Sequence, residues 1–155
     1  MSAQQDYVVQ IAQAIADELN AAQAADPAVF SQQFAATRVY DYTRDLEDTV
    51  TLRVDVVPEH HEDEPLTRQA WKGTAVVSVA VRQKVVAEDL DQVDALTYLV
   101  GQLRDFWTCP PRPLADMPGA KPVKRKIVYP YLASKLRSPA QFASVLELTY
   151  NLVSQ

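Results

Sequence analysis

The sequence predicts an α+β fold: an antiparallel sheet with a long β-hairpin, packed on one face by two α-helices. Three observations predict it. Two segments repeat apolar residues every three to four positions, the period of an amphipathic helix. Others alternate apolar and polar residues, as strands with one buried face do. The chain has 155 residues, which is about one domain, so we interpret 1–155 as a single domain.

The first 42 residues predict a helix followed by an edge strand. The helix has an apolar stripe formed by Tyr7, Val8, Ile11, Ile15 and Leu19. Asp26-Pro27 breaks this pattern, because proline interrupts a helix. In the stretch from Phe30 to Tyr42, alternation of Phe34, Ala36, Arg38 and Tyr40 favours a strand with an aromatic face.

The next region predicts an extended hairpin. Its first strand runs from Thr49 to Val57, and Pro58 is expected to end it. The second runs from about Trp71 to Val86, and a charged loop, Glu59–Pro65, is expected between them. Such a loop exceeds the usual hairpin connection and often has a function. The second face of the sheet is polar, so we expect it to be wet or to meet a partner.

A second helix and a last strand complete the core. Asp89 and Gln92 have the spacing of a helix-capping box. The apolar stripe that follows consists of Val93, Leu96, Val100, Leu103 and Trp107. The last strand is predicted from Phe142 to Val153. Between them, residues 110–139 hold most of the ten prolines and predict an extended arm, because proline is poor in helices and central strands.

Composition excludes several classes of protein. The net charge is −5 and the pI about 4.9, which argues against a free-standing nucleic-acid binder. Cys109 is the one cysteine, so no intrachain disulfide can form and a reducing compartment is expected. The start of the sequence does not resemble a signal peptide, and no apolar stretch is long enough to span a bilayer. We expect a soluble protein made in a cytoplasm, with no membrane partner.

A search for chemistry yields no catalytic, cofactor or metal site. Cys109 has no catalytic signature around it, so a structural or incidental thiol is the interpretation. The three glycines, Gly73, Gly101 and Gly119, form no phosphate-binding loop. His60-His61 lies among acids but lacks metal-ligand spacing, so a solvated loop is expected. A metal site shared between subunits is the alternative. We therefore predict a protein that is not an enzyme.

The candidate functional residues form a subunit or partner interface. The basic cluster from Lys121 to Lys126 is either a solvated arm or an electrostatic contact with an acidic neighbour or with DNA phosphates. Trp107 is expected in the core, whereas Trp71 suits core and interface equally. The predicted interface residues are Glu59, His60, His61, Glu62, Asp63, Glu64, Trp71, Lys121, Lys124, Arg125 and Lys126.

Four segments carry a resemblance to a known family: the strand end at Val54–Pro58, the valine-rich strand at Val76–Val81, the opening of the second helix at Asp89–Leu96, and the last strand at Phe142–Tyr150. With the order of the elements, they resemble the tail-terminator and head–tail completion proteins of tailed bacteriophages. The resemblance implies a virion protein assembled in the bacterial cytoplasm. It implies a ring, usually a hexamer, on the head-proximal end of the tail tube.

Such a ring ends tube growth, joins the tail to the neck proteins of the head, and can also hold the tail sheath. DNA passes through its lumen without sequence-specific binding. The proline-rich segment 110–139 has no counterpart in the family pattern. Three other interpretations stay open from the sequence: another neck connector or minor tail protein, an enzyme whose site forms between subunits, and a host-type protein-binding module.

Overall fold

The protein was analysed as a computed structural model, which describes residues 6–40, 51–86, 89–107, 114–115, 117–129 and 141–154. In chain order the elements are α1 (Tyr7–Ala25), β1 (Ala35–Arg38), β2 (Arg53–Pro65), β3 (Trp71–Lys84), α2 (Leu90–Phe106), β4 (Lys121–Tyr129) and β5 (Gln141–Ser154). The strands form one sheet in the order β1-β2-β3-β5-β4.

The predicted α+β class is confirmed, with both helices packed against the sheet and a long hairpin within it. One core joins the apolar stripes of the helices to one face of the strands. Its largest fully buried side chains include Ile11, Leu19, Leu96, Leu103, Trp107, Leu146 and Leu148. The sheet is mixed rather than wholly antiparallel, because β1 pairs parallel to β2. Residue alternation reveals the faces of a strand but not its direction, so the sequence could not show this.

The helix α1 holds the parallel edge strand in place through Asn20. Its side-chain amide donates to the carbonyl of Ala36, and its carbonyl accepts from the Ala36 N–H, both at 2.9 Å. In four-residue β1, Ala36 is buried between exposed Ala35 and Thr37, as the predicted alternation requires. Tyr40 was predicted on the same face as Ala36 but lies beyond β1 and is exposed. The predicted strand was longer, and its last residues, 41 and 42, lie outside the described part of the chain.

The start of α2 confirms the predicted cap. The Asp89 carboxylate accepts a hydrogen bond of 3.1 Å from the N–H of Gln92. The Gln92 side chain accepts from the N–H of Val86 at 3.0 Å, instead of from Asp89 as in a complete capping box. At the other end Trp107 is fully buried, as predicted, and its indole N–H donates to Glu18 of α1. This bond ties the two helices together.

The hairpin differs from the prediction, because Glu59–Pro65 is strand and not loop. β2 continues past Pro58 with a register shift between Pro58 and His60, and its residues pair with β3 as far as Pro65 and Trp71. The turn is the short segment 66–70. Proline is tolerated here because β1 pairs with β2 only along residues 53–56, which leaves Pro58 at an edge. A run of charged residues concealed this strand because it has no apolar face.

The proline-rich arm is also partly strand. Lys121–Tyr129 forms β4, the edge of the sheet, and pairs antiparallel with β5. Register shifts flank Val123 and Val128, and Pro122 lies beside the first of them. An edge position accepts a proline and bulges, since one side of the strand needs no hydrogen-bond partners. Residues 110–113, 116 and 130–139 of the predicted arm lie outside the described residues.

Candidate subunit interface

The acidic part of the predicted interface lies on the distal hairpin, which we define as residues 59–74. Every residue from Glu59 to Gln69 is exposed. The alternation of β2 divides their side chains between two faces. His61 and Asp63 pair with core-face positions of β3, whereas His60, Glu62 and Glu64 lie on the face opposite the helices. The acids therefore do not converge on one point.

The distal hairpin is anchored to the start of α1. The Tyr7 hydroxyl donates to the Asp63 carboxylate at 3.2 Å, and the Tyr7 ring lies 4.9 Å from that of His61. His61 Nδ1 lies 2.9 Å from an Asp6 carboxylate oxygen. Desolvation and the charge of Asp63 raise the pKa of Tyr7 to about 12. These contacts explain how an exposed hairpin holds a defined position.

Gly73 makes this anchor possible. A Cβ at this position would come within 2.9 Å of the Asp63 carboxylate and 3.1 Å of the Tyr7 hydroxyl. No ordinary side chain fits there without movement of its neighbours. The glycine therefore leaves room for the close approach of Asp63 and Tyr7, and its backbone conformation is not unusual.

Two large apolar side chains are exposed at the end of the distal hairpin. Trp71 is 51% exposed and Leu66 is 56% exposed. The sequence suited Trp71 equally to the core and to an interface, and its exposure in the structure excludes the core. Large exposed aromatic residues are common anchors of protein–protein contacts.

The basic part of the predicted interface lies on β4, at the opposite edge of the sheet. Lys121, Lys124 and Lys126 pair with Asn151, Thr149 and Glu147 of β5, all on the face opposite the helices. These three lysines and Arg125 are exposed. The basic cluster is therefore part of the sheet rather than a solvated arm.

Arg125 has a separate contact. It pairs with a core-face position of β5, and its guanidinium donates to the Asp105 carboxylate of α2. A hydrogen bond from Arg104, together with the charge of Arg125, holds the pKa of Asp105 below its usual value. Arg125 therefore joins β4 to α2, and we assign it a structural contact in addition to its predicted interface position.

The face opposite the helices is less open than the sequence predicted. Asp55, Ser78 and Arg82 lie on it and are 1%, 2% and 5% exposed. Arg82 donates a hydrogen bond of 2.9 Å to the side chain of Gln141. The expectation that this polar face is wet or meets a partner is therefore wrong for its centre. It holds for the exposed acidic and basic margins, where β2 and β4 run.

A shallow groove on α2 was not predicted. It has a volume of about 570 Å³ and lies between α2 and Ile127 of β4, with Tyr98 and Asp94 on its wall. Tyr98 is 65% exposed. The available signal was an aromatic residue on the polar side of the second helix, between the buried positions Leu96 and Leu99.

Among the described residues, no three His, Cys, Asp or Glu side chains converge to hold a metal ion. Cys109 lies outside those residues. Neither described helix has the length and apolar character required to cross a membrane.

Comparisons with known proteins were made by sequence and by structure. No family model matches the chain, and no curated protein matches it. One similar solved structure is the sheath/tube terminator of an extracellular contractile injection system, PVC, in the extended state, determined by cryo-EM. The two share 14% sequence identity with a TM-score of 0.42, and the match covers 100% of this chain and 58% of that protein.

Proposed function

We propose that this chain is a non-catalytic structural subunit that forms a ring, most simply a hexamer, on the head-proximal end of a tail tube. The ring ends tube growth and joins the tail to neck proteins, and in a contractile tail it also contacts the sheath. DNA crosses its lumen without sequence-specific binding, and the mature location is the virion. The resemblance of Val54–Pro58, Asp89–Leu96 and Phe142–Tyr150 to tail terminators supports this proposal.

One structural observation carries the proposal: the distal hairpin is exposed from Glu59 to Gln69, and exposed Leu66 and Trp71 flank its turn. Exposed apolar side chains on a projecting element are typical of a contact with another protein. An enzyme would instead be expected to bring its polar residues into a concave site. We therefore assign the apolar end of the hairpin to the contact with the tube.

The test is a tube-capping assay. Purified protein is added to polymerising tube protein from the same particle, and tube lengths are measured by negative-stain electron microscopy. We expect short tubes with extra density at one end. The double variant Leu66→Ser/Trp71→Ala should lose capping and keep its thermal stability, because both side chains are exposed.

Tyr98→Ala is the matched control, because it removes another exposed aromatic residue that lies on α2, outside the hairpin. Its capping should equal that of the unmodified protein. Tubes that keep growing in the presence of the unmodified protein would contradict the proposed function. Capping that survives the loss of Leu66 and Trp71 would contradict the role of the hairpin end.

A further inference from the structure

The two edges of the sheet carry opposite charge on the face away from the helices. At the β2 edge this face holds His60, Glu62 and Glu64, and at the β4 edge it holds Lys121, Lys124 and Lys126. All six side chains are exposed, and within the described residues none of them belongs to an ion pair. One chain therefore presents an acidic margin and a basic margin on opposite sides.

The registers place Glu62 and Lys121, one charge at each edge, at the same height along the strands. Glu62 is opposite Thr74, Thr74 is opposite Asn151, and Asn151 is opposite Lys121. The next row of this face links His60, Val76, Thr149 and Lys124 in the same way. The first row therefore joins Glu62 to Lys121, and the second ends at Lys124. Successive rows are about 7 Å apart, twice the rise per strand residue.

Equal heights matter for a ring. A ring arises from one rotation repeated between copies, and it joins two different surfaces of the same chain. Rotation about an axis along the strands leaves every row at its own height. Lys121 of one copy then lies level with Glu62 of the next, and Lys124 lies one row away, level with His60.

Main-chain pairing across the two edges is disfavoured. Pro122 lacks an N–H, and register shifts interrupt both β4 and the Pro58–His60 part of β2. Proline, bulges and lysines are the features by which sheet edges avoid forming a continuous sheet with a neighbour. A contact here therefore depends on side-chain charge and not on added strand pairing.

We infer that neighbouring copies of this chain meet edge to edge, with Lys121 and Lys124 of one copy against Glu59 and Glu62 of the next. This inference rests on the proposed function for its ring, and it names the surfaces that close the ring. Glu59 is included because it is exposed at the register shift, between the rows of His60 and Val57.

The experiment uses two complementary variants of the full chain, followed by native mass spectrometry and light scattering across salt concentrations. Lys121→Glu/Lys124→Glu has two acidic edges, and Glu59→Lys/Glu62→Lys has two basic edges. Each should associate about tenfold more weakly than the unmodified protein, because attraction becomes repulsion at several charge pairs. Association of the unmodified protein should weaken as salt rises.

Mixing the two variants provides the decisive measurement. Every contact between unlike variants again joins an acidic edge to a basic one, so a one-to-one mixture should assemble with alternating subunits. Recovered association in the mixture would also show that both variants are folded. Lys84→Glu is the control, because it reverses a charge at an exposed position at the end of β3, a central strand of the sheet, and it should associate normally.

Unchanged association of the single variants, absence of recovery in the mixture, or an unmodified protein that stays monomeric at low salt would overturn the inference. Failure of the proposed function gives a different result. Rings that respond to charge reversal but do not cap tubes would refute the terminator role and leave the edge contact standing. A protein that caps tubes but associates equally well after charge reversal would support the terminator role and refute the edge contact.

Discussion

The two ends of the β2–β3 hairpin are built from the same pair of strands but have opposite surroundings. At the proximal end Val54, Val56, Val79 and Val81 are fully buried in the core. At the distal end every residue from Glu59 to Gln69 is exposed. Asp6 and Tyr7 contact its β2 strand, and residues 71–74 of its β3 strand pair with β5. The register shift between Pro58 and His60 lies at the boundary.

The same hairpin therefore contributes to the core at one end and presents an exposed surface at the other. Burial of apolar side chains at the proximal end supplies the free energy of folding, because stabilisation scales with the apolar area removed from water. The distal end contributes little to that energy and is free to carry charges and an exposed tryptophan. Substitutions at the two ends should therefore affect different measurements.

The largest effect is expected from two leucine truncations, one in the core beside the proximal end and one at the exposed distal end. Leu146→Ala on β5, opposite Val79, leaves a cavity in the core and should lower the free energy of unfolding by about 2–5 kcal/mol. Leu66→Ala makes the same chemical change at an exposed site and should change it by less than about 0.5 kcal/mol. Urea unfolding measures both. Similar losses would show that the distal hairpin is part of the cooperative core.

A smaller effect on stability is expected when each of two glycines is replaced by alanine. Gly73→Ala introduces a Cβ that crowds Asp63 and Tyr7, and should destabilise the protein by about 1–3 kcal/mol. In Gly101→Ala on α2 the nearest atom is 3.9 Å away, so the better helix propensity of alanine should stabilise by about 0.5–1 kcal/mol. Opposite shifts in thermal midpoint are therefore expected. Equal shifts would refute the close packing of Tyr7 on Gly73.

The smallest expected effect is the change with pH in the contribution of Tyr7 to the free energy of unfolding. Because the pKa of Tyr7 is about 12 in the folded protein and 10.0 is its ordinary value, the unfolded chain loses this proton first as pH rises. Its contribution to stability is complete below pH 10, falls above it, and is lost as pH passes about 12. The unfolding free energy of Tyr7→Phe, subtracted from that of the unmodified protein, should show this decline. A difference that is constant from pH 9 to 11.5 would contradict it.

The sequence predicted well those elements whose side chains have a clear apolar period. Ile11, Ile15 and Leu19 on α1, Val77 and Val79 on β3, and Leu146 and Leu148 on β5 occupy the core as their spacing indicates. The cap of α2 was predicted because Asp89 and Gln92 form a local hydrogen bond that depends on few distant contacts. Local patterns suffice where local geometry decides the structure.

The same reasoning missed the strand character of Glu59–Pro65 and Lys121–Tyr129. Neither segment has an apolar face, so neither has the alternation that identifies a strand. Each becomes a strand because β3 or β5 supplies backbone hydrogen bonds along its length. The candidate interface residues were named from their charge, but their division between two faces of one sheet required the register.

By itself, the sequence determined the two helices, the apolar strands and the residues of the core, because burial selects side chains by their period. Only the tertiary structure decided the parallel direction of β1, the closure of the central polar face around Arg82, and the positions of the acidic and basic strands at opposite edges. Pairing between distant segments decides these features, since backbone hydrogen bonds join any residue types that tertiary contacts bring together.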